Sequence, residues 1–220
     1  NIPFPSDQPV TDTCGSCNKC VDACPTGALV QGGQLDANRC LAFLTQTKGF
    51  LPDEYREKIG NRLYGMDKCQ VVCPRNRGID FHRHPELEPD PDTAMPPLKP
   101  LLKISNRAFK ERFGSVAGSW RGKKPIQRNA ILALAHFKDR TAVQDLIFVM
   151  ENDPRPVIRG TAAWALGKIG GKGSEIALKQ AKKSETDEEV LKEIDKGLIM
   201  LKNGSNSHSS KDSMSATIGK

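Results

Sequence analysis

Four cysteines, Cys14, Cys17, Cys20 and Cys24, stand in one short run that ends in Pro25. The spacing C-x2-C-x2-C-x3-C-P is that of bacterial proteins that hold iron–sulfur clusters through thiolates. Three closely spaced sulfurs reach three irons of one cube, and the fourth turns away to serve a different cluster. A second cluster must then find its ligands elsewhere in the chain. Cys69-Gln-Val-Val-Cys73-Pro74 supplies two of them. Aligning its Cys-Pro with Cys24-Pro25 gives Cys73 the fourth-ligand place and Cys69 the third, with Met66 at the second and Leu63 at the first. Cys40 replaces Leu63. Exchange of the fourth ligands gives one set of Cys14, Cys17, Cys20 and Cys73, and another of Cys24, Cys40 and Cys69 whose last position falls on Met66.

A thioether is a neutral and poor ligand for iron. Three outcomes stay open at Met66: a 3Fe–4S cluster, a 4Fe–4S cluster completed by Asp67, water or another ligand, or a damaged site. Met66 also reads as a gap-filling core residue. Cys17-x2-Cys20 alone would suit a zinc ribbon, but the dense run closed by Cys-Pro favours iron and sulfide. The seven cysteines cannot all pair as disulfides, which points to an intracellular chain.

These residues need short, tight elements to place them. Residues 17–23 are expected to form a helical turn. Ala28-Leu29-Val30 and Leu35-Asp36 flank Gly32-Gly33 as a small hairpin. Asp36 or Asn38 can cap a helix carrying Cys40, Leu41, Phe43 and Leu44, and another helix is expected from Asp53 to Leu63. No apolar run approaches the length of a membrane span, and no signal peptide is evident. The start at Asn1, without Met, reads as a fragment or the product of trimming.

Residues 85–100 mix six prolines with acidic residues and read as an extended linker. His82 and His84 before it read as a surface turn. The charge then changes sign. Lys99, Lys103, Arg107, Lys110, Arg112, Arg121, Lys123, Lys124 and Arg128 face only Glu111, with Phe109, Phe113 and Trp120 interleaved. Net charge is +7. Cations among aromatics suit a polyanion, the cations meeting phosphates and the rings stacking on bases; Phe109 and Phe113, one turn apart, are expected in the core. Beyond residue 125, Ala130-x2-Ala133-Leu134-Ala135 recurs as Ala162-x2-Ala165-Leu166-Gly167. Small residues at helical spacing let helices approach closely, as in stacked α-repeats. Further helices are expected around Val143–Met150, Ile176–Ala181 and Val190–Leu201, and His136 is expected to pack or cap at a helix end. The Ser-rich tail lacks an apolar face and is expected to be disordered.

The fold class is therefore α+β and mostly α. A bacterial-ferredoxin-like two-cluster module occupies 1–82, a Pro-rich linker 83–100, a basic HEAT-like repeat domain 101–202, and a disordered tail 203–220.

CGSCNKCVDACPTGAL, LDANRCLAFLTQTKG and GNRLYGMDKCQVVCPRNRG, followed by HEAT-like repeats, resemble the epoxyqueuosine reductase family over roughly residues 10–185. The resemblance implies a cytoplasmic, monomeric enzyme with two 4Fe–4S clusters and a cobalamin. Such an enzyme reduces the epoxide of epoxyqueuosine, at the wobble base of certain tRNAs, to the cyclopentene of queuosine. It draws on an electron donor such as a flavodoxin or ferredoxin. The family has Cys where Met66 stands. It also has an amino-terminal domain, expected to be missing here, that carries the proton donor and most cobalamin contacts, so no catalytic residue is assigned. By the same resemblance Thr47, Met66 and Asp67 would lie near the corrinoid or the flipped nucleotide. Lys48, Arg107, Arg112, Arg121, Lys123, Lys124 and Arg128 would meet tRNA. A reductive-dehalogenase-like corrinoid enzyme and a non-enzymatic electron carrier are the competing readings.

Overall fold

The computed structural model describes Pro3, residues 5–8, 14–31, 33–79 and 84–212, with the backbone alone for Leu87 and residues 204–212. Its elements in chain order are α1 (Lys19–Asp22), β1 (Leu29–Gln31), β2 (Gln34–Leu35), α2 (Leu41–Leu44), α3 (Asp53–Arg56), α4 (Lys68–Val71), α5 (Pro91–Ala94), α6 (Leu98–Leu102), α7 (Asn106–Phe113), α8 (Lys123–His136), α9 (Val143–Asn152), α10 (Pro156–Ile169), α11 (Lys172–Ser184) and α12 (Glu188–Asp212). Single 3-10 turns intervene, among them Ala37–Arg39 and Pro74–Asn76. The fold is mostly helical with one small hairpin, as the sequence implies.

The chain divides into two units. The first comprises residues 1–40 and 67–81, the second 41–66 and 82–220. This differs from a single module over 1–82. The intervening segment belongs to the helical unit because its apolar side chains Leu41, Leu44, Leu51, Tyr55 and Ile59 join that unit's core.

In the first unit, α1 packs against α4. β1 and β2 pair antiparallel, with Leu29 opposite Leu35, across a turn in which Gly33 takes φ +77°. Asp36 caps the next turn by accepting from the Asn38 N–H at 3.0 Å. Cys40 lies on the extended C-cap of that turn and not inside a helix.

The second unit stacks α8, α10 and α12, with α9 and α11 packed alongside. The small residues act as expected. A Cβ built on Gly167 would sit 2.3 Å from the Gly197 Cα, so α10 and α12 touch backbone to backbone there. Phe109 and Phe113 are buried with ring centroids 5.3 Å apart. Gly170 ends α10 at φ +83°.

Three expectations change here. The Pro-rich stretch is not a plain extended linker: α5 starts at Pro91 behind the Asp90 cap, and α6 buries Leu101 and Leu102. Proline tolerates the first helical turn, where its missing N–H costs nothing. The helix expected over 53–63 stops at Arg56 and gives way to turns. Residues 203–212 continue α12 and are not irregular, while 213–220 lie outside the described residues. His82 also lies outside them; His84 is exposed, with Nδ1 3.1 Å from Glu86. His136 is the exposed last residue of α8, its ring edge-on to Phe137.

Candidate functional site

All seven cysteines belong to the first unit, and none is in a disulfide. Cys14 is exposed and the other six are half-buried. The backbone around two of them in each block repeats itself, residues 18–24 matching residues 67–73, 49 positions later. Asn18 and Asp67 stand at the N-caps with φ, ψ of −116°, 14° and −114°, 18°. The Asp22 N–H donates to Asn18 O and the Val71 N–H to Asp67 O, both at 2.9 Å. Ala23 donates to Lys19 O and Val72 to Lys68 O, both at 3.1 Å. The match continues through Cys24 and Cys73, which donate to Val21 O at 3.1 Å and Gln70 O at 3.2 Å, and each is followed by proline. Each half thus presents one thiol inside a helical turn, Cys20 or Cys69, and one just beyond it, Cys24 or Cys73.

Cys24 shows how the loop conditions its sulfur. The Ala28 N–H donates to Sγ at 3.2 Å, and the Thr26 hydroxyl lies 3.6 Å away. Burial pushes this thiol up, but donors from Leu29, Thr26 and Ala28 outweigh it and lower the pKa to about 7. Hydrogen bonds to sulfur favour the thiolate, the form that binds iron. Gly27, at φ +60°, lets the chain curl round the sulfur. Among the described residues, no three His, Cys, Asp or Glu stand close enough together to hold a single metal ion. The donor set, thiols alone with four in a C-x2-C-x2-C-x3-C-P run, is one that holds iron–sulfur clusters.

A second constellation lies in the helical unit. Arg128 was expected to meet RNA, and the structure corrects this: the side chain is 1 % exposed. Its guanidinium donates to Thr47 O at 2.8 Å, Gly49 O at 2.9 Å and Leu44 O at 2.9 Å. Nε also reaches Asn129 Oδ1 at 3.1 Å. Asn129 donates in turn to Thr45 O and Leu63 O, each at 2.8 Å. Burial, with repulsion from Arg56, lowers the Arg128 pKa to about 10. It remains a cation at neutral pH, satisfied by backbone carbonyls and an amide. These two residues clamp the loop 44–49 from inside.

The clamped loop fixes an aromatic on the surface. Gln46 Oε1 accepts from Trp120 Nε1 at 2.8 Å, and its amide is anchored to Ala42 O at 2.8 Å. Trp120 is nevertheless 61 % exposed, with the Arg121 guanidinium 3.9 Å from its ring centroid. Lys48 is exposed on the same loop. Other cations named from sequence are more committed. Lys123 donates to Ile104 O at 2.7 Å, and Arg112 to Asp92 O at 2.7 Å. Arg107 is exposed and pairs with Glu111 at 2.8 Å; Lys124 is half-buried. The Arg128–Asn129 clamp and the Gln46–Trp120 bond were missed from sequence. An Arg-Asn pair inside an apolar helix was the available signal.

None of the residues expected near a corrinoid is fully buried. Thr47 gives its hydroxyl to Leu44 O at 2.9 Å. Met66 packs against the apolar core of the helical unit. Asp67 is exposed, and its carboxylate caps nothing on α4.

Comparison with known proteins accords with this division. Residues 13–76 match a 4Fe-4S double cluster binding domain, and residues 121–198 match HEAT repeats. An epoxyqueuosine reductase of Bacillus anthracis is 68% identical over 201 residues, covering 91% of this chain and 53% of that protein. An uncharacterized protein in gldA 3'region of Geobacillus stearothermophilus is 70% identical over 202 residues, 92% of this chain and 94% of its own length. A crystal structure of epoxyqueuosine reductase with a tRNA-Tyr epoxyqueuosine-modified tRNA stem loop is 68% identical, with TM-score 0.88, over 92% of this chain and 54% of that one. The chain spans about half the length of the epoxyqueuosine reductases it matches. An iron–sulfur cluster-binding unit, HEAT repeats and this identity match the chain, along nearly all of its own length, to about half of an epoxyqueuosine reductase.

Proposed function

We propose that this chain is the cluster-bearing and RNA-binding part of an enzyme that reduces epoxyqueuosine to queuosine at the wobble position of tRNA in the cytoplasm. The observation that carries the reading is its 68% identity, at TM-score 0.88, to an epoxyqueuosine reductase crystallised with an epoxyqueuosine-modified stem loop. Converting the epoxide to an alkene consumes two electrons and two protons and releases the oxygen as water. Two clusters, each passing one electron at a time, suit that demand. Cys14, Cys17, Cys20 and Cys73 would hold one, and Cys24, Cys40 and Cys69 the other. A flavodoxin or ferredoxin would refill them.

A cobalamin would supply the two-electron chemistry at the epoxide. Thr47, Met66 and Asp67, none of them fully buried, would be this chain's residues beside it. The proton donor is assigned to no residue of this chain.

The chain's own part toward RNA lies with Trp120, Arg121, Lys124 and Lys48. An exposed indole held by Gln46 offers a flat face to an unpaired base, and Arg121 adds a cation beside it. Filter binding of an anticodon stem loop to the cluster-loaded chain tests this. Trp120→Ala is expected to weaken binding by about 1–3 kcal/mol at every salt concentration. Arg121→Ala or Lys124→Ala is expected to reduce the salt slope by about one unit. Stem-loop binding indifferent to all three substitutions overturns this assignment of the RNA surface.

A further inference from the structure

Two 4Fe–4S cubes hold about eight irons, and each iron takes one ligand from outside the cube. The double-cluster segment, residues 13–76, contains all seven cysteines of the chain. One iron therefore lacks a thiolate, and the repeated backbone says which. Asn18 matches Asp67, Cys20 matches Cys69 and Cys24 matches Cys73 in hydrogen bonding and cap angles. One step before the cap, Cys17 meets its counterpart in Met66. Cys40, the one cysteine outside the repeat, compensates for Leu63 at the place of Cys14, and nothing compensates for Met66.

The Met66 side chain is engaged elsewhere. It is half-buried against the apolar core of the helical unit, as Leu63 is. A thioether sulfur is in any case a weak acceptor. The next residue differs. Asp67 occupies an N-cap, yet its carboxylate makes no capping hydrogen bond and is exposed.

We infer that the cluster ligated by Cys24, Cys40 and Cys69 is site-differentiated: its fourth iron carries an oxygen ligand, from the Asp67 carboxylate or from solvent, in place of a thiolate, and is lost on oxidation. The step balances. Ferricyanide takes one electron from the cluster at the 2+ level, giving the 3+ level. That cluster then releases ferrous iron and leaves a 3Fe–4S cluster at the 1+ level with all four sulfides retained. The inference rests on the seven cysteines being the ligands of two clusters.

The test uses the full chain, reconstituted anaerobically, with iron, acid-labile sulfide and EPR measured before and after ferricyanide. The wild type is expected to fall from about eight irons to about seven at constant sulfide, with a 3Fe–4S signal appearing. Met66→Cys is expected to keep its irons and to stay free of that signal. Asp67→Asn separates the two oxygen sources: faster iron loss identifies the carboxylate, and unchanged loss identifies solvent. Retention of every iron by the oxidised wild type overturns the inference, as does a wild type that never binds the second cluster. Failure of both wild type and Met66→Cys to bind any iron and sulfide would instead overturn the ligand assignment beneath it.

Discussion

The two units are stabilised by different physics. Among the described residues of the cysteine unit, only Thr26 and Ala28 are buried. Every other buried apolar side chain, from Leu41 to Ile194, belongs to the helical unit. Roughly 25 cal/mol per Å² of buried apolar surface therefore favours folding of the helical unit and contributes almost nothing to the cysteine unit. What holds the latter locally is a set of short turns, one capped by Asp36 and two closed by backbone hydrogen bonds from Cys24 and Cys73. A segment without a core needs a cross-link or a metal group, and in such domains binding the group and folding are one event. The helical unit instead buries charged side chains and satisfies them, as with Arg128, and with Arg56, which pairs with Glu193 and stacks on Trp164 5.4 Å away.

Removing the clusters should separate the two most. After chelation of iron under reducing conditions, proteolysis is expected to cut within 14–40 and 67–79, while far-UV circular dichroism keeps most of its helical signal. A single cooperative loss of both would mean that the helical unit leans on the clusters too. A smaller but large effect is expected at the buried cation. Arg128→Met strands the carbonyls of Thr47 and Gly49 and the Asn129 Oδ1, and each unsatisfied buried acceptor costs about 1–3 kcal/mol. Urea unfolding should therefore show a loss of at least about 3 kcal/mol with iron content unchanged. Arg128→Lys should recover little, because an ammonium lacks the planar fork. If Arg128→Met costs under about 1 kcal/mol, the clamp is not a stabilising feature.

The smallest effect concerns acid. Arg159 donates to Glu185 through two bonds, at 2.8 and 3.0 Å, and holds its carboxyl at about 2. The Thr186 and Asp187 N–H groups add to this. A carboxyl whose pKa falls on folding contributes stability above its unfolded value, near 4.5, and loses it as pH drops toward 2. Glu185→Gln is expected to flatten the pH dependence of helical-unit stability between those values. A slope unchanged by the substitution would assign acid sensitivity to other carboxylates.

Much of the chemistry was legible because it rests on spacing along the chain. The run from Cys14 to Cys24, the Cys69–Cys73 pair and the Met66 gap follow from counting residues. So do the hairpin, the Phe109–Phe113 pair and the small-residue faces of α8 and α10, because local hydrogen bonds and helical periodicity act over a few positions. The family resemblance likewise rested on motifs that can be read without coordinates.

What the sequence by itself determined, then, was where the thiols stand along the chain and where the repeat helices run. Only the tertiary structure decided the fate of charges and of the segment between the cysteine blocks. Arg128 looks on paper like Arg121, yet one lies under a loop and the other on an indole, because neighbours remote in sequence set burial. The segment 41–66 lies between ligands along the chain but buries its apolar residues among helices that follow it. Spacing fixes local chemistry; burial and long-range pairing emerge only when distant segments are brought together.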